Sequence, residues 1–76
     1  MEKISFLGCG SWGGALGNIL AEKNFDVTMW HRNDVVIRSL NETRVHYLIP
    51  ELKFPKIVNF TNNISSAIHS ANVIVL

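Results

Sequence analysis

The sequence contains few of the features that define several large classes of protein. Its 76 residues include one cysteine, Cys9, which excludes an internal disulfide and a multi-cysteine metal site. Seven basic and six acidic residues leave a net charge of +1, so no basic excess favours a nucleic-acid or anionic membrane partner. No apolar run approaches the roughly 20 residues of a membrane span, and Gly8 and Gly10 interrupt the N-terminus before a signal peptide is complete. We therefore expect a cytoplasmic protein with no membrane span.

The most informative segment is an apolar run that breaks into glycines and continues as a helical pattern. Residues 4–7 precede the motif Gly8-x-Gly10-x-x-Gly13. Gly8 lets the chain turn off a strand, Gly10 lets the backbone approach a pyrophosphate, and Gly13 lets the new helix pack against that strand. The first N–H groups of the helix lack internal acceptors, and the helix dipole adds positive charge there. This order of strand, turn and helix predicts a dinucleotide-binding turn.

The rest of the chain alternates strand-like and helix-like segments. Strands are predicted at Lys3–Leu7, Asp26–Trp30, Ile57–Phe60 and Val73–Leu76. Helices are predicted at Trp12–Lys23, from Asn33 or Asp34 to about Asn41, and after Asn62 or Asn63, the last with Ile64, Ala67, Ile68 and Ala71 as its inner face. The alternation predicts an α/β protein of the Rossmann type, with a doubly wound parallel sheet in the order 3-2-1-4. The unbroken apolar run of the fourth strand is typical of a strand covered on both faces.

The chain ends on the last residue of the fourth predicted strand. In the predicted order the outer edge of that strand is unpaired, and a bare apolar edge invites aggregation. We therefore expect residues 1–76 to be the N-terminal part of a dinucleotide-binding domain, with the remainder of the protein outside this chain. The alternative is a short native chain that hides this edge by oligomerising.

Four sequence elements occur in an order that resembles one known family. They are Gly-x-Gly-Ser-Trp-Gly-x-Ala-Leu at residues 8–16, Trp-His-Arg-Asn at 30–33, Asn-Glu-Thr-Arg at 41–44 and Tyr-Leu-x-Pro at 47–50. Together they resemble the N-terminal domain of bacterial NAD(P)-dependent glycerol-3-phosphate dehydrogenase, with the likeness running from Lys3 to Leu76. The first and third elements are more specific than the three glycines.

The resemblance implies an oxidoreductase that interconverts dihydroxyacetone phosphate and sn-glycerol 3-phosphate with NAD(P)H for phospholipid synthesis. Family members are cytoplasmic and commonly homodimeric, and their catalytic and substrate-binding lysines lie mainly in later segments. The present chain is expected to supply cofactor-binding residues and no catalytic ones. The alternatives are another oxidoreductase of this fold, such as a ketopantoate reductase or a UDP-sugar dehydrogenase, and a short nucleotide-binding chain that never catalyses.

The motif and the resemblance together define the expected cofactor site. Its members are Gly8, Gly10, Ser11, Trp12, Gly13, His31, Arg32 and Tyr47. By resemblance, Ser11 and Trp12 lie where the glycine turn meets the cofactor phosphates. His31 and Arg32 lie at the adenosine ribose or its 2′-phosphate, and Tyr47 makes a further cofactor contact.

The end of the second predicted strand bears on the choice between NAD and NADP. NAD-selective sites usually place an acidic residue there, but here Trp30 is followed by His31 and Arg32. The nearest acid, Asp34, is better explained as a helix cap. Arg32 is a permanent planar cation that pairs with phosphate or stacks on adenine, so we predict that NADP is at least tolerated. The alternative for Arg32 is a solvated surface charge.

Several residues keep a second interpretation. Ser11 is either a phosphate contact or a helix cap, and Trp12 either a cofactor contact or a core anchor. Cys9 is either a small filler or a thiol acidified by the helix N-terminus. Arg44 lines a cleft or lies on the surface. His46 has no partner at metal-ligand spacing, so no metal site is expected.

Two glycines depart from the family pattern. Gly14 stands where threonine or serine is usual, and Gly17 stands where alanine is usual. Each costs about 0.5–1 kcal/mol relative to alanine in a helix interior, and closer packing of the helix on the sheet can offset part of that cost.

Overall fold

In the computed structural model, which describes residues 2–76, four parallel strands form one sheet that packs with three helices. The elements in chain order are β1 (Lys3–Phe6), α1 (Ser11–Glu22), β2 (Asp26–Trp30), α2 (Asp34–Thr43), β3 (Asn59–Thr61), α3 (Ile64–Ile68) and β4 (Val73–Val75). The sheet order is β3-β2-β1-β4, which confirms the predicted fold class and strand order. None of the helices within residues 2–76 is long and apolar enough to cross a bilayer.

The order of the strands reverses next to β1, and this places a crevice at the carboxyl end of the sheet. β1 pairs with β2 on one side, with Ile4 opposite Val27, and with β4 on the other, with Ile4 opposite Val73. The chain leaves β1 toward β2 and returns only later to β4, so the gap between β1 and β4 is the topological switch point. Ligands of doubly wound sheets bind at this position.

Helix α1 lies close to the sheet because it presents small residues to it. Its buried members are Gly14, Gly17 and Ala21. A Cβ atom at Gly17 would overlap the terminal methyl group of Met29, which is fully buried on β2. The sequence predicted that Gly13 allows the close approach of α1 to the sheet, and this is wrong. A Cβ at Gly13 would make only ordinary contacts, 3.6 Å from the carbonyl oxygen of Gly8, so the close approach depends on Gly17 instead.

Side-chain caps set the start of the second and third helices. The side chain of Asn33 accepts hydrogen bonds from the backbone N–H groups of Val35 and Val36, at 2.8 and 3.3 Å. Asn63 caps α3 in the same way, through the N–H of Ser66 at 3.0 Å. Asp34 was expected to be a cap, and this is wrong: it is the first helical residue, and its carboxylate accepts a hydrogen bond from the side chain of Asn62.

The edge of the sheet at β4 is more exposed than the sequence pattern predicts. Val73 and Ile74 are 45 and 46% exposed, so the expected burial of this strand is wrong for the described chain. The inner face predicted for α3 is also largely wrong, because only Ala67 is buried while Ile64 and Ile68 are exposed. The strand is exposed because β4 pairs with β1 alone and no other element of residues 2–76 lies along its outer edge. Helix α3 has only five residues, little more than one turn, and that turn buries Ala67.

Candidate nucleotide-binding site

The glycine turn joins β1 to α1 and needs glycine at its first position. Gly8 has φ of 156°, a conformation that residues with a Cβ atom rarely adopt. Gly10 is exposed, and a Cβ there would meet nothing within 4 Å. The absence of a side chain therefore leaves the backbone of the turn open to a ligand, as the motif predicts.

The first N–H groups of α1 face no capping side chain. Gly10 is the N-cap, and the first bond of the helix runs from the N–H of Gly14 to the carbonyl of Gly10 at 2.8 Å. The N–H groups of Ser11, Trp12 and Gly13 precede that bond and so have no acceptor within the helix. The alternative of Ser11 as the helix cap is wrong. Three free donors at the positive end of a 12-residue helix fit a phosphate group.

A cavity of about 130 Å³ opens beside this turn, at the switch point of the sheet. Its lining comprises Phe6, Gly8, Gly10, Trp12, Gly13, Val75 and Leu76. Trp12 is 69% exposed, so the core-anchor interpretation of this residue is wrong. The cavity joins the carboxyl ends of β1 and β4 to the N-terminus of α1, which is the geometry of a dinucleotide crevice.

The end of β2 and the loop after α2 meet on the other flank of the turn. His31 Nδ1 accepts a hydrogen bond from the backbone N–H of Asn33 at 3.0 Å. The ring of Tyr47 meets the His31 ring edge-on, with centroids 5.6 Å apart. Arg32 is exposed beside them. The structure therefore brings Tyr47 to the β2 end, although the two are far apart in the chain.

His46 is a member of the site that the sequence analysis missed. It is 2% exposed, its Nε2 lies 3.1 Å from the carbonyl oxygen of Cys9, and its ring stacks on Tyr47 with centroids 4.9 Å apart. A Cβ at Gly14 would overlap this ring. The unusual glycine at position 14 was thus the one sequence signal that pointed to a bulky neighbour.

The structure contradicts one interpretation each of Cys9 and Arg44. Burial raises the pKa of the Cys9 thiol to about 11, so the acidified thiol is wrong, and the sulfur packs 3.4 Å from that of Met29 as a small filler. Arg44 is partly buried, so a fully solvated surface charge is wrong. Its guanidinium donates to the carbonyls of Pro55 and Val58 at 2.7 and 2.6 Å and lies over the ring of Phe60, which holds the loop before β3 in place.

The polar groups at this end of the sheet are mainly hydrogen-bond donors. In residues 2–76 no three His, Cys, Asp or Glu side chains are grouped closely enough to hold a metal ion. The donors at the turn are backbone N–H groups, and those at the β2 end are imidazole and guanidinium groups. Both sets suit phosphate and sugar hydroxyl groups.

Comparison with known proteins points to one family. A sequence model described as the NAD-dependent glycerol-3-phosphate dehydrogenase N-terminus matches residues 3–76. The glycerol-3-phosphate dehydrogenase (NAD(P)+) of Chlamydia pneumoniae is 39% identical over 74 residues, which cover 97% of this chain and 22% of that protein. The enzyme of the same name from Geobacter metallireducens is 38% identical over 76 residues, covering 99% and 23%.

A solved structure agrees with these relatives. The 2.1 Å crystal structure of glycerol-3-phosphate dehydrogenase from Coxiella burnetii superposes with a TM-score of 0.88 at 26% identity, covering 96% of this chain and 23% of that one. The chain thus spans less than a quarter of the length of the proteins it matches. These relatives favour a glycerol-3-phosphate dehydrogenase over a ketopantoate reductase or a UDP-sugar dehydrogenase.

Proposed function

The chain belongs to the family formed by the N-terminal part of NAD-dependent glycerol-3-phosphate dehydrogenases, and we propose that it binds the nicotinamide dinucleotide of such an enzyme. The enzyme interconverts dihydroxyacetone phosphate and sn-glycerol 3-phosphate. The bound dinucleotide supplies the hydride chemistry, and this chain holds and orients it. The observation that carries the proposal is the set of free N–H donors of Ser11, Trp12 and Gly13 beside the open turn at the switch point.

In this proposal the glycine turn binds the pyrophosphate. The backbone N–H groups at the start of α1 donate to phosphate oxygens, and the hydroxyl of Ser11 adds a donor at the same end of the helix. Gly10 lets the phosphates approach the backbone because no Cβ stands in the way. Trp12 lies along the cavity wall, where it covers the cofactor and limits its contact with water.

The adenosine end of the cofactor lies at the carboxyl end of β2. Since Nδ1 of His31 accepts from Asn33, the hydrogen of the neutral ring is on Nε2, which is thus a donor for a ribose hydroxyl or a 2′-phosphate. Arg32 is an exposed cation next to it and pairs with the 2′-phosphate of NADP. Tyr47, edge-on to His31, completes this wall of the site. NADP is therefore tolerated as well as NAD.

The proposal extends to the whole protein. We assign no catalytic residue to this chain, and we place the substrate-binding and catalytic groups in segments that follow it. Residues 1–76 then form the N-terminal part of the cofactor domain of a cytoplasmic homodimer that serves phospholipid synthesis. Light scattering of the full-length protein tests the dimer directly, since a monomeric mass would contradict it.

An activity assay of the full-length protein tests the substrate. With NADPH present, we expect dihydroxyacetone phosphate to be reduced and ketopantoate to be left unchanged. Turnover of ketopantoate alone would assign the chain to a different oxidoreductase. Binding of the nucleotide without turnover of either substrate would favour the non-catalytic alternative.

The Arg32→Ala variant tests the adenosine end of the site. Loss of a charge-assisted contact is worth about 1.5–3 kcal/mol, so NADPH affinity should fall about 10- to 100-fold while NADH affinity changes little. The matched control is Arg38→Ala, which removes another exposed arginine, on α2. Calorimetric titration of both cofactors gives the ratio, and an unchanged NADPH-to-NADH ratio in Arg32→Ala would remove the proposed 2′-phosphate contact.

A further inference from the structure

The imidazole of His46 is held at both of its nitrogens. Its Nδ1 lies 3.0 Å from the backbone nitrogen of Leu48, and because that amide only donates, Nδ1 must accept. The ring hydrogen is therefore on Nε2. This atom lies 3.1 Å from the carbonyl oxygen of Cys9 and 3.2 Å from that of Gly10, and it donates to both.

These two carbonyls determine where the neighbouring N–H groups of the glycine turn point. In a trans peptide the C=O and the N–H lie on opposite sides, and the described residues contain no cis peptide. The carbonyl of Cys9 shares a peptide with the N–H of Gly10, and the carbonyl of Gly10 shares one with the N–H of Ser11. His46 draws the carbonyl of Cys9 toward its ring and so turns the N–H of Gly10 away from itself, toward the exposed side of the turn. It shares the carbonyl of Gly10 with the N–H of Gly14, so the direction of the Ser11 N–H is set by helix α1 and His46 together.

Helix α1 is shaped to admit this ring. A Cβ at position 14 would lie 2.6 Å from Nε2 of His46 and would overlap the neighbouring ring carbon. Gly14 is buried in the helix, where glycine costs about 1 kcal/mol relative to alanine. A glycine at this position is unfavourable for the helix itself, so its presence is explained by the histidine that fills the space.

The same ring also connects the two ends of the candidate site. One face of His46 stacks on Tyr47, with an interplanar angle of 14° and centroids 4.9 Å apart. The ring of Tyr47 in turn makes a T-shaped contact with the ring of His31 at the end of β2. A displacement of His46 would therefore disturb the phosphate end and the adenosine end together.

We propose that His46 is a positioning residue for the cofactor. It aims the N–H of Gly10 at the pyrophosphate, supports helix α1 in aiming that of Ser11, and holds Tyr47 beside His31. The inference rests on the proposed function, since it requires a dinucleotide at the turn, but it assigns a role to a side chain that does not itself touch the ligand.

Two substitutions in the full-length protein separate the N–H of His46 from its bulk. His46→Phe keeps an aromatic ring against Tyr47 and removes the donor. His46→Gln lacks the ring and carries an amide N–H donor at about the place of Nε2. His69→Phe is the control, because His69 is exposed at the end of α3. The readouts are the Kd of NADPH by calorimetry, the KM of dihydroxyacetone phosphate, and the urea midpoint of each variant.

We expect His46→Phe to raise the Kd of NADPH about tenfold, because a donor shared by two carbonyls is lost. The KM of dihydroxyacetone phosphate should change little, and His46→Gln should recover most of the NADPH affinity. A two-bond proton–nitrogen NMR spectrum of the unmodified protein should show the hydrogen of His46 on Nε2.

The outcomes that overturn the inference differ from those that overturn the proposed function. If the unmodified protein binds NADPH and His46→Phe binds it equally well, the inference fails and the function stands. Equal losses in the Phe and Gln variants would assign the effect to packing and overturn the role of the N–H. If His46→Phe does not fold, the test rests on the NMR tautomer of His46 and on the NADPH affinity of His46→Gln. A ring hydrogen on Nδ1 would contradict the inference. If the unmodified protein binds no dinucleotide, the proposed function fails, and the inference with it.

Discussion

Replacing Gly14 by alanine should destabilise the protein, although alanine is the better helix former. Helix propensity alone favours Gly14→Ala by about 1 kcal/mol. The new Cβ, however, would overlap the ring of His46, which is buried, stacked on Tyr47 and hydrogen-bonded at both nitrogens. Moving that ring would break two or three hydrogen bonds at about 0.5–1.5 kcal/mol each. After the gain in helix propensity is subtracted, we expect the free energy of unfolding to fall by about 1–2 kcal/mol.

Gly17→Ala is the matched comparison on the same helix. Its Cβ would overlap the terminal methyl of Met29, which lies at the end of a flexible side chain, and its next contact is an ordinary 3.4 Å to the ring of Phe6. Overpacking costs about 1–3 kcal/mol, and methionine adapts toward the lower end of that range. This cost roughly cancels the propensity gain, so Gly17→Ala should be close to neutral.

Urea denaturation measures both changes in the free energy of unfolding, provided that its dependence on urea concentration is the same in all variants. The decisive version is a double-mutant cycle with His46→Ala. Without the imidazole ring, Gly14→Ala should become neutral or stabilising, because only the propensity gain remains. An equal destabilisation by Gly14→Ala with and without His46 would refute the steric argument, and so would a Gly17→Ala variant that is less stable than Gly14→Ala.

Two further changes test the core and a helix cap. Burial raises the pKa of Cys9 from 9.0 to about 11, so between these pH values the unfolded chain has lost a proton that the folded chain keeps. Stability should therefore fall as pH rises through this window, by about 2–3 kcal/mol in total. The free energy of unfolding of Cys9→Ala should not show this decline with pH. A decline equal to that of the unmodified protein would contradict the raised pKa of Cys9 as its cause. The pKa of Tyr47 is also raised by burial, so Tyr47→Phe separates its contribution. Asn33→Ala should lower the free energy of unfolding by about 1 kcal/mol through loss of the α2 cap, whereas Asn41→Ala on the exposed side of that helix should not; equal losses would argue against capping.

The strand order and the glycine turn could be predicted because they depend on local patterns. The spacing of glycines identified Gly8 as the turn, and it has the backbone conformation that this requires. Asn33 and Asn63 were among the predicted caps, since a side-chain oxygen before a helix satisfies its first donors. The alternation of strands and helices then left few topologies open.

The remaining features depend on contacts between distant segments, which a single sequence does not reveal. Exposure of Val73 and Ile74 is decided by what lies beyond the sheet edge, not by their own apolar character. The contact of His46 with Cys9 joins residues 37 apart in sequence. The one sequence feature that indicated it was the unusual glycine at position 14. Arg44 was ambiguous for the same reason, because its carbonyl partners lie 11 and 14 residues further along the chain.

The most direct test of the proposed cofactor site is an amide-resolved NMR titration of the 76-residue chain with NADPH and then with NADH. Dinucleotide binding at the switch point predicts shifts concentrated at residues 8–13, at His31 and Arg32, and at Tyr47. The control is a titration with a neutral sugar, which should move none of them. A well-dispersed spectrum that neither cofactor changes, or shifts confined to α3, would contradict the assignment of this turn as a dinucleotide site.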